Sequence, residues 1–172
     1  MKQKVILFGL IIVLGMVTTV NAQTKIGYTN VELLMAYMPE VKQAESTLRA
    51  YELQLSKTLG EKRSAYDAKL QQYGQLRSGL STEDDQKWIQ ELQAMEQEIR
   101  KSADDADRKL VERRQTLLAP ITQKIQSKID EVAKEGNFTY ILNQTSGTNI
   151  LYGLETMNVT EQLAAKLGIN MN

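Results

Sequence analysis

Residues 40–135 are almost wholly helix-forming, with apolar side chains three and four positions apart and one break, a Gly- and Ser-containing stretch at residues 78–82. That pattern predicts two long antiparallel helices sharing a single seam. In the first helix Val41, Ala44, Leu48, Tyr51 and Leu55 follow the alternating spacing of a coiled coil, and Leu59, Tyr66, Leu70 and Tyr73 continue it less strictly. Gly74 and Gly79 weaken its end. Ser81 or Thr82 caps the return helix, and Glu83, Asp84 and Asp85 fill a first turn whose dipole favours acids. The return seam reads Trp88, Leu92, Met95, Ile99, Ala103, Ala106 and Leu110, then Leu117, Ile121, Ile125, Ile129 and Val132, with Arg113 or Arg114 in the gap. Pro120 is expected to kink the helix or split it near Ala119. Gly136 should end it, with Lys134 in the last turn. At 1.5 Å per residue such helices are roughly 55–80 Å long. A lone hairpin buries one stripe per helix, so its other faces belong to solvent.

Short β-type segments flank this arm. Residues 25–29 read as a strand, followed by a brief helix from Val31 to Tyr37 capped by Asn30 and ended before Pro39, which suits the first position of the next helix. Residues 139–143 and 149–153 read as two further strands joined by residues 144–148, a hairpin expectation. Asn158, with Glu161 three residues on, should cap a final helix running to Gly168. The expected class is therefore α+β: a long antiparallel helical hairpin, the coiled-coil arm of residues 40–135, on a small β body formed by residues 23–39 and 136–172. Three short strands bury little by themselves and leave open edges. Oligomerisation through this body is the simple remedy, and it would multiply the arms.

The first 22 residues read as a signal peptide: Lys2 and Lys4, an uncharged apolar run at residues 5–17, then Val20, Asn21 and Ala22, with cleavage before Gln23. The apolar run is short for a retained membrane anchor. Of the 21 basic residues, losing Lys2 and Lys4 leaves 19 against 21 acidic ones, a mature charge of −2 with no basic excess to attract nucleic acid. Of those mature charges 17 basic and 18 acidic residues lie within the arm. The chain has no Cys, hence no disulfide and no lipidated Cys, and no His, the commonest metal ligand and general base. Carboxylates remain. Glu83, Asp84 and Asp85, and Asp104, Asp105 and Asp107, stand next to one another on helices and so point apart, which makes them solvated surface and excludes an enzymatic reading. No cofactor is implied. Three sequons, at Asn137, Asn143 and Asn158, carry little weight in a bacterial host, the kind of source that the resemblance described next implies.

These pieces resemble a known family. Residues 25–31 and the short helix to Pro39 and Glu40 are similar to the opening of Skp/OmpH-type periplasmic chaperones. Residues 117–121, Lys124, Ile125, Ile129, residues 132–135 and then 138–142 look like that family's return-helix end and following strand, and residues 158–160 like the step before its last helix. The likeness spans essentially the whole mature chain. It implies a homotrimer with a shared barrel-like body and three arms enclosing a cavity, which holds unfolded outer-membrane proteins in the periplasm without ATP. Two departures stand out. The best-known members are strongly basic and this chain is near neutral, which leaves lipopolysaccharide or membrane contact open, and Asn158 replaces the usual Asp.

The arm residues expected to meet a client are Tyr66, Tyr73, Leu76, Leu80, Trp88 and Met95, around or below the tip. For Tyr73 and Trp88 the competing and favoured expectation is that they close the end of the coiled coil, and Tyr51, Tyr66 and Met95 read first as seam residues. The body residues expected to make the trimer are Ile26, Tyr28, Tyr140, Ile141, Leu142, Ile150, Leu151 and Tyr152. A different class of function, a structural spacer or assembly subunit of the cell envelope, fits the arm less well, because Gly60, Gly74 and Pro120 interrupt it where a rigid rod would not.

Overall fold

A single residue, Met38, carries the chain from a small base into the arm, and residues 136–139 carry it back. A computed structural model describes residues 24–145 and 150–171; the expected signal peptide and most of the loop expected at residues 144–148 lie outside them. The element order is β1 (Ile26–Thr29), α1 (Val31–Tyr37), α2 (Pro39–Leu76), α3 (Thr82–Glu135), β2 (Tyr140–Asn143) and α4 (Thr160–Leu167), with single 3-10 turns at Arg77–Gly79 and Glu155–Met157.

Local signals set the helix ends. The Asn30 side chain accepts the Leu33 N–H at the start of α1. Pro39 opens α2, where a missing N–H costs nothing. Ser81 accepts the Asp84 N–H and so caps α3. The helices span 38 and 54 residues, about 57 and 81 Å at the standard rise. Pro120 does not divide α3, which continues unbroken to Glu135. Proline removes one backbone donor, at a cost of about 3 kcal/mol, and the packing of Ile121, Ile125 and Val132 beyond it holds the helix together.

The hairpin expected from residues 139–143 and 149–153 does not form. Tyr140–Asn143 is a strand, but it pairs in parallel with β1, Ile26 opposite Tyr140 and Tyr28 opposite Leu142. Residues 150–153 have no regular structure, and Asn149 lies outside the described residues. Parallel partners need a long crossover between them, and here the whole arm is that crossover. On its other side β1 touches a single bridge residue, Asn158, and the Val159 N–H reaches the Tyr28 carbonyl. The final helix starts at Thr160, with Val159 rather than Asn158 in the cap position. Asn158 still contributes, its side-chain oxygen accepting the Thr160 N–H. Gly168, in the left-handed region at φ 71°, ends this helix as only glycine does without strain.

The core sits at the joint between base and arm. Leu34, Met38, Val132 and Leu163 are fully buried, and Val41, Ala44, Ile121, Ile125, Val159, Ala164 and Leu167 complete the cluster. Thr29 and Thr160 meet hydroxyl to hydroxyl inside it at 3.2 Å, so its buried polar atoms are paired. Phe138 fills the gap between two glycines: a Cβ on Gly27 would stand 2.9 Å from its ring, and one on Gly136 would collide with it outright. Lys25 lies over the same ring at 4.1 Å and donates to the Gly136 carbonyl at 2.7 Å, tying β1 to the end of α3.

Candidate functional site

The arm's distal half has almost no buried core; among its described residues only Leu92 is buried, Leu70 is exposed, and the other seam positions are half-buried. Lysine–glutamate pairs supplement this thin seam, Lys62 with Glu98 and Lys69 with Glu91, each joining α2 to α3. The Lys62 ammonium holds the Glu98 carboxyl below its usual range, by hydrogen bond first and by charge second.

The tip is an aromatic closure. Tyr73 and Trp88 stack with centroids 6.2 Å apart and planes at 26°, a favourable offset geometry. The Tyr73 hydroxyl donates to Asp85 at 2.8 Å, and that bond raises its pKa above the ordinary tyrosine value. Lys69 lies over the Trp88 ring at 4.8 Å and Arg77 near the Tyr73 ring at 5.8 Å, so a cation approaches each ring. Of the other residues singled out from sequence, Tyr66 and Met95 are half-buried in the seam, Leu80 is half-buried in the turn, and Leu76 is exposed. Of the six, Tyr73 and Trp88 are in direct contact.

The base has a second apolar surface. In the parallel pair, Ile26, Tyr28, Tyr140 and Leu142 share one face of the sheet. Gly27 is buried on the opposite face, and Ile141 packs there against the core. Ile26, Tyr140 and Leu142 are exposed on the outer face, while Gly153 backs against the half-buried Tyr28 ring. Beside them the irregular segment after Ile150 leaves Leu151 96% and Tyr152 82% exposed, with Leu154 also outside. No charged residue occurs between Glu135 and Glu155. Ile26, Tyr28, Leu142, Ile150, Leu151, Tyr152 and Leu154 border one open cleft, and larger exposed apolar patches in soluble proteins are the kind of surface that partners cover.

Residues 25–167 match the family described as outer membrane protein (OmpH-like). The chain belongs to that family. The crystal structure of an OmpH-like protein from Caulobacter crescentus CB15, assigned as an outer membrane chaperone, is similar at a TM-score of 0.71 and 14% identity over 85% of each chain. At that identity the likeness is one of fold. No curated protein matches the sequence.

In this OmpH-like chain the acidic clusters have separate partners rather than a shared focus. Asp105 pairs with Arg108, Asp84 with Ser81 and Lys87, and Asp85 with Tyr73. Among the described residues no group of three acids is placed to hold a metal, and no helix is long and apolar enough to cross a membrane. Sequence reasoning missed three outward apolar residues on the arm, Leu53, Ile89 and Val111, the first 66% and the last 58% exposed. Ile89 and Val111 each follow a seam residue, and Leu53 lies between two. A helix turns about 100° per residue, so such neighbours face away from the seam, and that adjacency is the signal that would have found them.

Proposed function

We propose that this OmpH-like protein is an ATP-independent periplasmic holdase, exported by a leader cleaved after Ala22, which binds unfolded outer-membrane proteins between its arms and prevents their aggregation. The observation that carries this reading is a hairpin whose shorter helix alone runs about 57 Å out from the base, with one buried residue in its distal half and apolar side chains spread along it. A surface like that offers many weak contacts and no pocket of fixed shape, which suits clients without a fixed shape. The chaperone assignment of the Caulobacter protein points the same way.

Weak contacts need multiplication. The outer face of the sheet, with Ile26, Tyr28, Tyr140 and Leu142, and the neighbouring Ile150, Leu151 and Tyr152, is the surface we assign to a homotrimer; Ile141 supports it from the core side. Three arms on one base raise the effective concentration of each contact for a client already held by another. Tyr66, Tyr73, Leu76, Leu80, Trp88 and Met95 are then client contacts near the arm ends, of which Leu76 is the most accessible. The near-neutral charge keeps capture short-ranged.

Two measurements test this. The mass of the mature protein in solution should be three times that of one chain; a stable monomer would remove the cavity. In dilute mixtures with an unfolded β-barrel protein, the mature protein should suppress light scattering without nucleotide. No suppression would leave the reading of an envelope spacer in its place.

A further inference from the structure

We infer that the arm bends at one level, a hinge where Ala44 of α2 faces Leu117–Pro120 of α3, and not at its junction with the base or at its glycines. Five observations coincide there. The continuous buried core that rises from the base ends at Ala44 and Ile121. Pro120 offers no N–H to the Thr116 carbonyl, so the helical ladder lacks one rung. Three threonines at this level turn their hydroxyls back onto carbonyls four residues earlier, Thr47 on Gln43 in α2, and Thr116 on Glu112 and Thr122 on Leu118 in α3, a bond that bends helices. Apolar clefts open on both sides of the seam, one of about 240 Å³ that includes Met35, Leu48 and Leu118, the other bordered by Thr47 and Pro120, and both share Ala44 and Leu117. Close packing resists bending; here there is space to move into on either side. Finally, among the described residues the cross-arm ion pairs leave this level unbraced: Lys124–Glu40 lies on its base side, and the next, Lys62–Glu98, lies far along the arm.

The rival positions are worse placed. At the base junction Lys25 grips the Gly136 carbonyl, Phe138 is wedged between two glycines, and Lys166 of α4 reaches both Glu131 and Glu135 at 3.5 and 2.8 Å. That end of α3 is held from two sides. Gly60 and Gly74 lie inside one continuous helix, and the Lys62–Glu98 and Lys69–Glu91 pairs fall between them.

The chain has no cysteine of its own, so spin labels can be placed freely. Three exposed pairs separate the alternatives: E161C with S64C spans the hinge, E161C with Q123C spans the base junction only, and S64C with A94C lies wholly beyond the hinge. Each labelled chain is diluted into unlabelled protein, so that an assembly carries one pair. Electron–electron distance distributions should be roughly twice as wide for the first pair as for the other two. A44L, which fills both clefts, and P120A, which restores the missing donor, should each narrow it while circular dichroism stays helical. Equal widths for all three wild-type pairs, or the greatest width across the base junction, would overturn the hinge. These distances involve no client, so they stand or fall independently of the chaperone reading.

Discussion

The root of the arm and its outer half are built from the same helices and held by different physics. At the root Met38, Val132, Leu34 and Leu163 are sealed from water, and the helices are part of a core shared with β1, β2 and α4. In the outer half one buried leucine, half-buried seam residues, two cross-arm lysine–glutamate pairs and an aromatic stack do the holding. Burial of apolar surface resists salt and pH; exposed ion pairs resist neither. The arm is therefore the part that solution conditions can loosen, and the base is the part that only core damage can.

The largest expected effect tests the root. Leu163→Ala removes a fully buried side chain and should cost about 2–5 kcal/mol of global stability, seen as a lower urea midpoint for the whole protein. A change confined to α4 would mean that the base and the root do not share one core. Next, Gly136→Ala places a methyl group into the Phe138 ring. The backbone there, at φ −86°, accepts alanine, so the penalty is steric, about 1–3 kcal/mol. Thermal unfolding should report it, and Phe138→Ala in the same chain should recover part of the loss.

Trp88→Ala should act locally. Losing the stack with Tyr73 should free about 1 kcal/mol at the tip alone, read as faster amide exchange at residues 73–90 with residues 125–135 unchanged. A global drop in stability would erase the contrast between the two halves. The smallest effect comes from pH. Glu98 is held below the ordinary 4.5, first by the Lys62 hydrogen bond, so the pair's contribution is complete above that value and is lost as pH falls through and beneath it. Between about pH 7 and pH 3.5 amide protection near residues 62 and 98 should fall before protection near Leu163 does. Lys166 behaves oppositely: its pKa is raised, first by Glu135, so its contribution is present below 10.5 and is lost only as pH rises past that.

The hairpin and its ends were legible because their code is local. Asn30 and Ser81 cap helices through bonds to the residue three positions on, Pro39 opens one where its missing N–H is not needed, and the seam repeats within a turn. Pro120 misled in part, since what lies beyond it in space, not in sequence, keeps α3 continuous. The β pairing was not legible. Residues 139–143 and 150–153 have the composition of adjacent strands, yet Tyr140–Asn143 pairs with Ile26–Thr29 across the whole arm, and the apolar look of residues 150–153 comes from exposed surface. Leu53 and Val111 escaped notice because they are apolar residues next to the seam whose positions turn them outward. The fit of Phe138 between Gly27 and Gly136 joins residues far apart in sequence, which no periodicity encodes.

The parallel pairing of β1 with β2 also sets an order of events during folding. Lys25 and Gly136, the contact that closes the base, are 111 residues apart, whereas contacts flanking the Arg77–Gly79 turn are local and cheap to form. The hairpin can zip from its tip as soon as the first turns of α3 are available. β1, the first strand to arrive, has to wait for the end of α3 before it finds β2. Assembly is thus delayed until nearly the whole chain is present, and a product truncated before Tyr140 would have an arm with nothing to anchor it.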